Sequence, residues 1–190
     1  FTTVHASLLA DLGAYGCIKG MADVEYVKRN DIKALINNGS IVSVGNGMSP
    51  DIEKIIDAEP DAVLVSPFEN SGGYGKLDEL HIPLVECADY MESSPLARAE
   101  WMRFYGMLVG KEAEADSLFV QVEKAYNSIK ASANNSKDKP RVMMDFPSGN
   151  VWYVPGGQST IGQMIADAGG NYCFKNKKKS GSSALTVEAV

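Results

Sequence analysis

His5 and His81 are the two histidines among 190 residues. They are the side chains whose ordinary pKa suits base chemistry near neutrality. His81 precedes Ile82-Pro83 at the edge of a strand-like run and reads as a surface residue. His5 falls in the first turn of a helical pattern, at the expected edge of a pocket. Asp145 closes another strand-like run and could act as an acid. The same aspartate, beside Pro147-Ser148-Gly149, equally fits a turn-bonding carboxylate. A serine–histidine–carboxylate site would be signalled by a G-x-S-x-G elbow, and the sequence has none. No acid–base pair commits the chain to catalysis, so no catalytic residue is assigned and the chain reads as a non-enzyme. The enzyme alternative is a doubly wound α/β hydrolase or metal chelatase using His5 and Asp145.

Cys17, Cys87 and Cys173 are odd in number and widely spaced, without a C-x-x-C pair. Zinc and thioredoxin-like chemistry therefore lack support, and no metal site is assigned. Each cysteine stands in an apolar context and reads as a small buried hydrophobe. Two glycine clusters imitate nucleotide sites. "GNGMSP" has Pro50 where a dinucleotide fingerprint needs its third glycine. "GGYGKL" lacks the first glycine of a P-loop and places Leu77 where magnesium needs a hydroxyl. Both read as loop punctuation. The run from Met144 to Tyr172 is different. Trp152 and Tyr153 stand on a strand-like segment, Pro155-Gly156-Gly157 turns the chain, and Ser159 caps a helix. Large rings with polar handles suit a bulky, partly apolar ligand. Because they alternate on a strand, one of the pair should face the core.

These residues need a scaffold, and the periodicities supply one. Helical patterns are expected over His5–Leu12, ended by Gly13, and over Asp31–Asn37. A further helix should start at a Ser49 cap and Pro50 and run through Ile52, Ile55 and Ile56. Strands are expected at Cys17–Met21, Ile41–Val44, Asp61–Val65 and Ile82–Glu86, with a short helix over Gly75–Leu80. "DAVLV" is continuously apolar, as in a strand buried on both faces. Pro95 opens a long helical region with a break at Gly110. Then come "RVMMDF" and "NVWYV" as strands and a helix over Ser159–Ala168. Strands alternating with helices predict parallel sheets flanked by helices. Ligands bind such sheets at the carboxyl ends of the strands. The loops there span 1–5, 21–23, 45–49, 66–75 and 88–94, and they carry Phe68, Tyr74 and Tyr90. The expected division is an α/β lobe over 1–94, a helical region over 95–138, and part of a second α/β lobe over 139–190.

The composition is ordinary for a globular protein, 45% hydrophobic and 22% charged. A net charge of −6 argues against a nucleic-acid partner, which calls for a basic face. The one basic run, Lys175 to Lys179, adjoins Ser180-Gly181-Ser182-Ser183 and reads as a solvated loop. No apolar run reaches the roughly 20 residues of a membrane helix. Phe1 and the closing "ALTVEAV", which reads as the opening of a helix, are expected to belong to a longer protein. The lack of a targeting signal is then silent about location.

Four stretches in this order resemble the substrate-binding proteins of ABC importers for iron–siderophore, haem and cobalamin. "VHASLLADLGAYGCIKGM" resembles the family's first helix and second strand. "MSPDIEKIIDAEPDAVLVS" resembles its acidic helix followed by an aspartate-containing strand entry. "LVGKEAEADSLFVQVEKAYNSI" resembles the helix that bridges the lobes. "GGQSTIGQMIADAGGNYCF" with "LTVEAV" resembles the entry to the second lobe. The resemblance implies two Rossmann-like lobes with parallel sheets joined by a long helix, the second lobe truncated. It implies capture of an iron chelate, haem or cobalamin in an interlobe cleft, and delivery to an ABC permease. The protein would be periplasmic or at the cell surface, with a lipid anchor as one means of attachment, and would need no cofactor beyond the transported ligand. The expected cleft residues are Thr3, His5, Asp23, Asn46, Phe68, Tyr74, Tyr90, Trp152 and Tyr153. Haem ligation through His5 or a tyrosine is one form of this expectation. Glu53 in "DIEKI" and Glu188 in "TVEAV" match the positions of the glutamates that dock the permease in that family. Either could instead be a glutamate that merely suits the positive end of a helix. A module serving only protein–protein contact is the structural alternative.

Overall fold

The computed structural model describes residues 3–47, 49–67 and 74–189. The chain is mixed α/β and divides into two compact units. Unit 1 is Phe1–Ala88 with Met102–Ala115, and unit 2 is Asp89–Trp101 with Asp116–Val190. The helical region expected over 95–138 is thus shared between them.

In unit 1, α1 (Thr3–Asp11) buries His5, Ala6, Leu9 and Ala10 on one side. Gly13 ends it at φ +71°, a left-handed conformation that glycine adopts without a Cβ clash. A 3-10 turn over Tyr15–Cys17 leads to β1 (Gly20–Met21), so the strand begins later than the expected Cys17. After α2 (Asn30–Asn37), β2 (Val42–Ser43) pairs with β1 in parallel, Gly20 opposite Val42. Next, β3 (Gly45–Asn46) and β4 (Ser49–Pro50) form a small antiparallel hairpin. The helix expected to start at Ser49 starts later for that reason. Pro50 is still extended opposite Gly45, and the cap of α3 (Ile52–Asp57) is Asp51, whose carboxylate accepts the Lys54 N–H at 3.2 Å.

β5 (Val63–Val65) and β6 (Leu84–Glu86) make a second parallel pair. Val63 and Val65 are buried and Leu64 is half-buried, so the run is not enclosed on both faces as its composition implies. Val63 and Val65 join Ala22, Val44, Ile55 and Leu77 in the core, with Tyr74 packed against it. Among the described residues, the parallel strands of unit 1 form two two-stranded sheets rather than one.

Two helices follow, α4 (Pro95–Leu108) and α5 (Glu112–Asn134). The break between them falls at Gly110, φ +64°, as the sequence leads one to expect. Gly106 makes the turn tight. A Cβ there would come within 2.5 Å of the Ala115 Cβ and 2.9 Å of the Lys111 carbonyl.

In unit 2, β7 (Arg141–Val142) pairs in parallel with β9 (Asn171–Tyr172). The strand expected through Phe146 stops at Val142, and 143–150 is a loop carrying Asp145 at φ +62°. β8 (Val151–Pro155) precedes α6 (Thr160–Asp167), whose cap is Ser159. The Ser159 Oγ accepts the Gly162 N–H at 3.1 Å and donates to the Gly156 carbonyl at 2.7 Å.

The closing segment corrects an expectation. Ser182–Thr186 is a strand, β10, antiparallel to β8. Among the described residues of this segment, Val187–Ala189 follows as one 3-10 turn. Alternating burial along β10 explains the misreading, because "SSALT" has too few large apolar side chains to announce a strand by pattern.

Candidate functional site

The carboxyl ends of the parallel strands in unit 1 carry a polar set. Asp23 follows β1 at φ +55°. Its N–H donates to the Gly45 carbonyl at 2.9 Å, and its carboxylate accepts the Gly47 N–H at 3.1 Å. Asn46 is exposed on the hairpin after β2, and its side-chain oxygen accepts the Ser49 N–H at 2.8 Å. These two expected ligand residues are therefore brought together through one loop, where they also fix its shape. After β5, Tyr74 donates from its hydroxyl to Glu86 at the end of β6, at 2.8 Å. Phe68 lies outside the described residues. Thr3 opens α1 and is half-buried.

His5 departs most from expectation. It is 2% exposed, with its ring tilted against Tyr105 at a centroid distance of 5.6 Å. It lines a cavity of about 350 Å³ inside unit 1, together with Leu9, Ile18, Gly20, Leu64 and Leu108. The reason is the helix face. His5, Ala6 and Leu9 fall on one stripe, so a histidine that reads as a rim residue is turned inward with its apolar neighbours. His81 is exposed at φ +55°, on the surface where the sequence puts it. Cys87 is buried as expected, whereas Cys17 and Cys173 are exposed, because each sits in a turn rather than a strand interior.

On unit 2, Trp152 and Tyr153 point to opposite sides of β8. Trp152 is half-buried, and its indole N–H donates to the Met144 carbonyl at 3.1 Å. Tyr153 is 58% exposed. Tyr90 is 44% exposed in a 3-10 turn over Asp89–Met91. Phe146, which the sequence reading overlooks, is 82% exposed in the loop at the carboxyl end of β7. Its signal is an aromatic residue directly before Pro147-Ser148-Gly149, a turn sequence that keeps it off the core. That loop follows the carboxyl end of β7, the side of a parallel sheet where ligands generally bind. Glu53 and Glu188 are both exposed, Glu53 in the first turn of α3 and Glu188 in the closing 3-10 turn.

Each unit has a charged cluster that ties its elements together. In unit 1 the Arg29 guanidinium ties Asp11 at the end of α1 to Asp31 in α2, and Tyr15 adds a hydroxyl to Asp31 at 2.7 Å. Hydrogen bonds from Arg29 and then Tyr15 hold the Asp31 carboxyl well below the usual range. In unit 2, Tyr126 of α5 donates to Asp167 of α6 at 2.7 Å, with Lys130 at 3.0 Å and Gln163 at 2.8 Å. Burial, aided by Asp167, pushes the Tyr126 hydroxyl up to about 12. Burial opposes ionisation of Asp167, but the hydrogen bonds from Tyr126, Lys130 and Gln163 prevail and its pKa is lowered. Among the described residues, no three His, Cys, Asp or Glu side chains converge as a metal site, and no helix is long and apolar enough to cross a membrane.

Parallel βα units with polar and aromatic loops at their strand ends put the chain in the α/β class, in which ligands bind at the carboxyl ends of the strands. The chain belongs to the periplasmic binding protein family, which it matches over residues 7–190. It is 32% identical over 162 residues to an uncharacterized lipoprotein of Methanocaldococcus jannaschii, an alignment covering 83% of this chain and 38% of that protein. Its fold is similar to Staphylococcus aureus IsdE complexed with heme, with a TM-score of 0.73 at 19% identity, covering 95% of this chain and 66% of that one. It is also similar to the siderophore-binding protein FhuD of Vibrio cholerae bound to Fe3+-Desferal. There the TM-score is 0.71 at 16% identity, covering 97% of this chain and 70% of that one. The chain thus spans well under half the length of the curated relative.

Proposed function

We propose that the whole protein is an extracytoplasmic solute-binding protein that captures an iron chelate, haem or cobalamin and hands it to an ABC permease. Family membership over residues 7–190 carries this reading. The haem and Fe3+-Desferal complexes of two proteins with the same fold support the ligand class. The residues give it content. Tyr153, Tyr90 and Phe146 offer exposed rings on unit 2, and the loops of Asp23, Asn46 and Tyr74 offer polar groups on unit 1. A flat macrocycle or a wrapped chelate is held by ring stacking plus a few oriented polar contacts. Lipoprotein relatives favour attachment outside the cytoplasmic membrane.

The test is titration of the full-length chain with cobalamin, hemin and ferric desferrioxamine, read by tryptophan fluorescence in a Trp101→Phe background. One class should saturate the signal of Trp152, and Tyr153→Ala should weaken that class roughly tenfold by loss of ring contact. Saturation by none of the three classes would sink the proposal. A Soret band that does not shift with hemin would remove haem alone.

A further inference from the structure

The turn that carries Tyr90 is braced inside unit 2 by side chains of two helices. Asp89–Met91 is a 3-10 turn, and the Glu92 N–H closes it on the Asp89 carbonyl at 3.3 Å. Asp89 is buried, and its carboxylate pairs with the Arg98 guanidinium of α4 at 3.5 Å. One turn further along α4, the Trp101 indole N–H donates to the Glu92 carboxylate at 3.0 Å. The Glu92 carbonyl accepts the hydroxyl of Thr160, the first residue of α6, in a bond that spans 68 residues. All of these residues lie in unit 2, although the turn comes soon after β6 of unit 1 in the chain.

The helix itself has no need of the Thr160 hydroxyl. Ser159 caps α6, with its own hydroxyl engaged by the Gly162 N–H and the Gly156 carbonyl. Thr160 is thus left to reach a carbonyl distant in the chain, and it does so from a stiff support. β8, which carries Tyr153, runs through Pro155 and the Gly156-Gly157 turn into Ser159. That turn is bonded through its backbone to Lys177 and Gly181. Glu92 is therefore held by its carbonyl on α6 and by its carboxylate on α4. What this base presents outward is a ring and a thioether: Tyr90 is 44% exposed and Met91 51% exposed. Ordering a turn costs conformational entropy, and a ring left in water repays little of it through core packing. A ring fixed in advance does repay it when a ligand arrives, because less freedom is lost on binding.

We propose that Thr160 and Glu92 are positioning residues for solute capture. They hold the 89–92 turn on the body of β8 and α6, so that Tyr90 and Tyr153 meet the solute from one rigid support. This rests on the solute-binding reading above, and adds to it two residues that set affinity without touching the solute.

Two measurements on the full-length chain test it. The first uses no solute. Amide order parameters from nitrogen relaxation should be about 0.85 at Tyr90 and Met91 in the parent and below about 0.6 in Thr160→Val, which keeps the shape and loses the donor. Thr160→Ser keeps the donor and should match the parent, and the Tyr153 amide should stay rigid in all three. Glu92→Leu, which removes the acceptor of the Trp101 N–H, should loosen the same two residues and serves if Thr160→Val does not fold. Unchanged order at Tyr90 in both loosening variants would overturn the proposal. The second is a calorimetric double-mutant cycle, with Trp101 intact, using whichever of hemin, cobalamin and ferric desferrioxamine the parent binds. Thr160→Val and Tyr90→Ala should each weaken binding roughly three- to tenfold, and the double variant no more than the worse single, because both remove one contact. A parent that binds while the two losses multiply would overturn this proposal alone. A parent that binds none of the three would remove the solute reading and this proposal with it.

Discussion

Gly156 and Gly157 read from the sequence as a turn, and the structure shows what that turn holds. A Cβ on Gly156 would sit 2.0 Å from the Lys179 carbonyl oxygen, and one on Gly157 would sit 2.1 Å from that of Lys175. The Gly156 N–H donates to the Gly181 carbonyl at 3.0 Å and the Gly157 N–H to that of Lys177 at 2.8 Å. The lysine-rich loop is therefore clamped onto this turn by backbone contact, and is not merely solvated. Gly157→Ala should lower the stability of the protein by about 1–3 kcal/mol or more, since backbone rather than a flexible side chain must yield. Urea denaturation checks this, and a variant as stable as the parent would contradict the contact. Tyr153→Ala should leave the same transition unchanged within about 0.5 kcal/mol, because its ring is mostly in water.

At the scale of elements, the junction of α5 and α6 depends on ionised Asp167. Its folded pKa is lowered, so the stabilisation is present above its unfolded value and is lost as pH falls through the folded one. Tyr126 acts at the other end. Its pKa is raised to about 12, so its contribution is present below the unfolded value near 10 and lost as pH rises toward 12. Asp167→Asn should flatten the acid side of the stability profile, while Tyr126→Phe should flatten the alkaline side. Thermal melts across pH measure both, and parallel profiles for parent and variants would refute the latch. The elements themselves were largely legible in the sequence. Gly13, Gly110 and Ser159 mark helix ends where they fall, because each is a local conformational demand. Ser49-Pro50 misled because the hairpin with Gly45-Asn46 is a pairing between residues, invisible to a local cap rule.

For the whole molecule, the proposed hand-off to a permease would use two exposed glutamates, Glu53 and Glu188, one on each unit. Glu53→Ala or Glu188→Ala should reduce ligand-dependent stimulation of the permease ATPase at least several-fold, leaving the solute Kd unchanged. Exposed carboxylates steer and orient a partner more than they hold the fold. Equal stimulation by parent and both variants would leave these as ordinary helix-end acids. A loss of solute affinity instead would place them in ligand binding.

The α/β class, the order of most helices and strands, and the family were legible in the sequence, because they follow from periodicity and from ordered local phrases. The sequence put Trp152 and Tyr153 on a strand with one of them facing the core, whereas neither is buried: Trp152 is half-buried and Tyr153 exposed. That His5 lies inside, that Phe146 lies outside, and that "SSALT" is a strand emerged with the fold. The reason is the same in each case. Which way a side chain or peptide group faces is set by partners distant in the chain, and a local pattern does not carry that information.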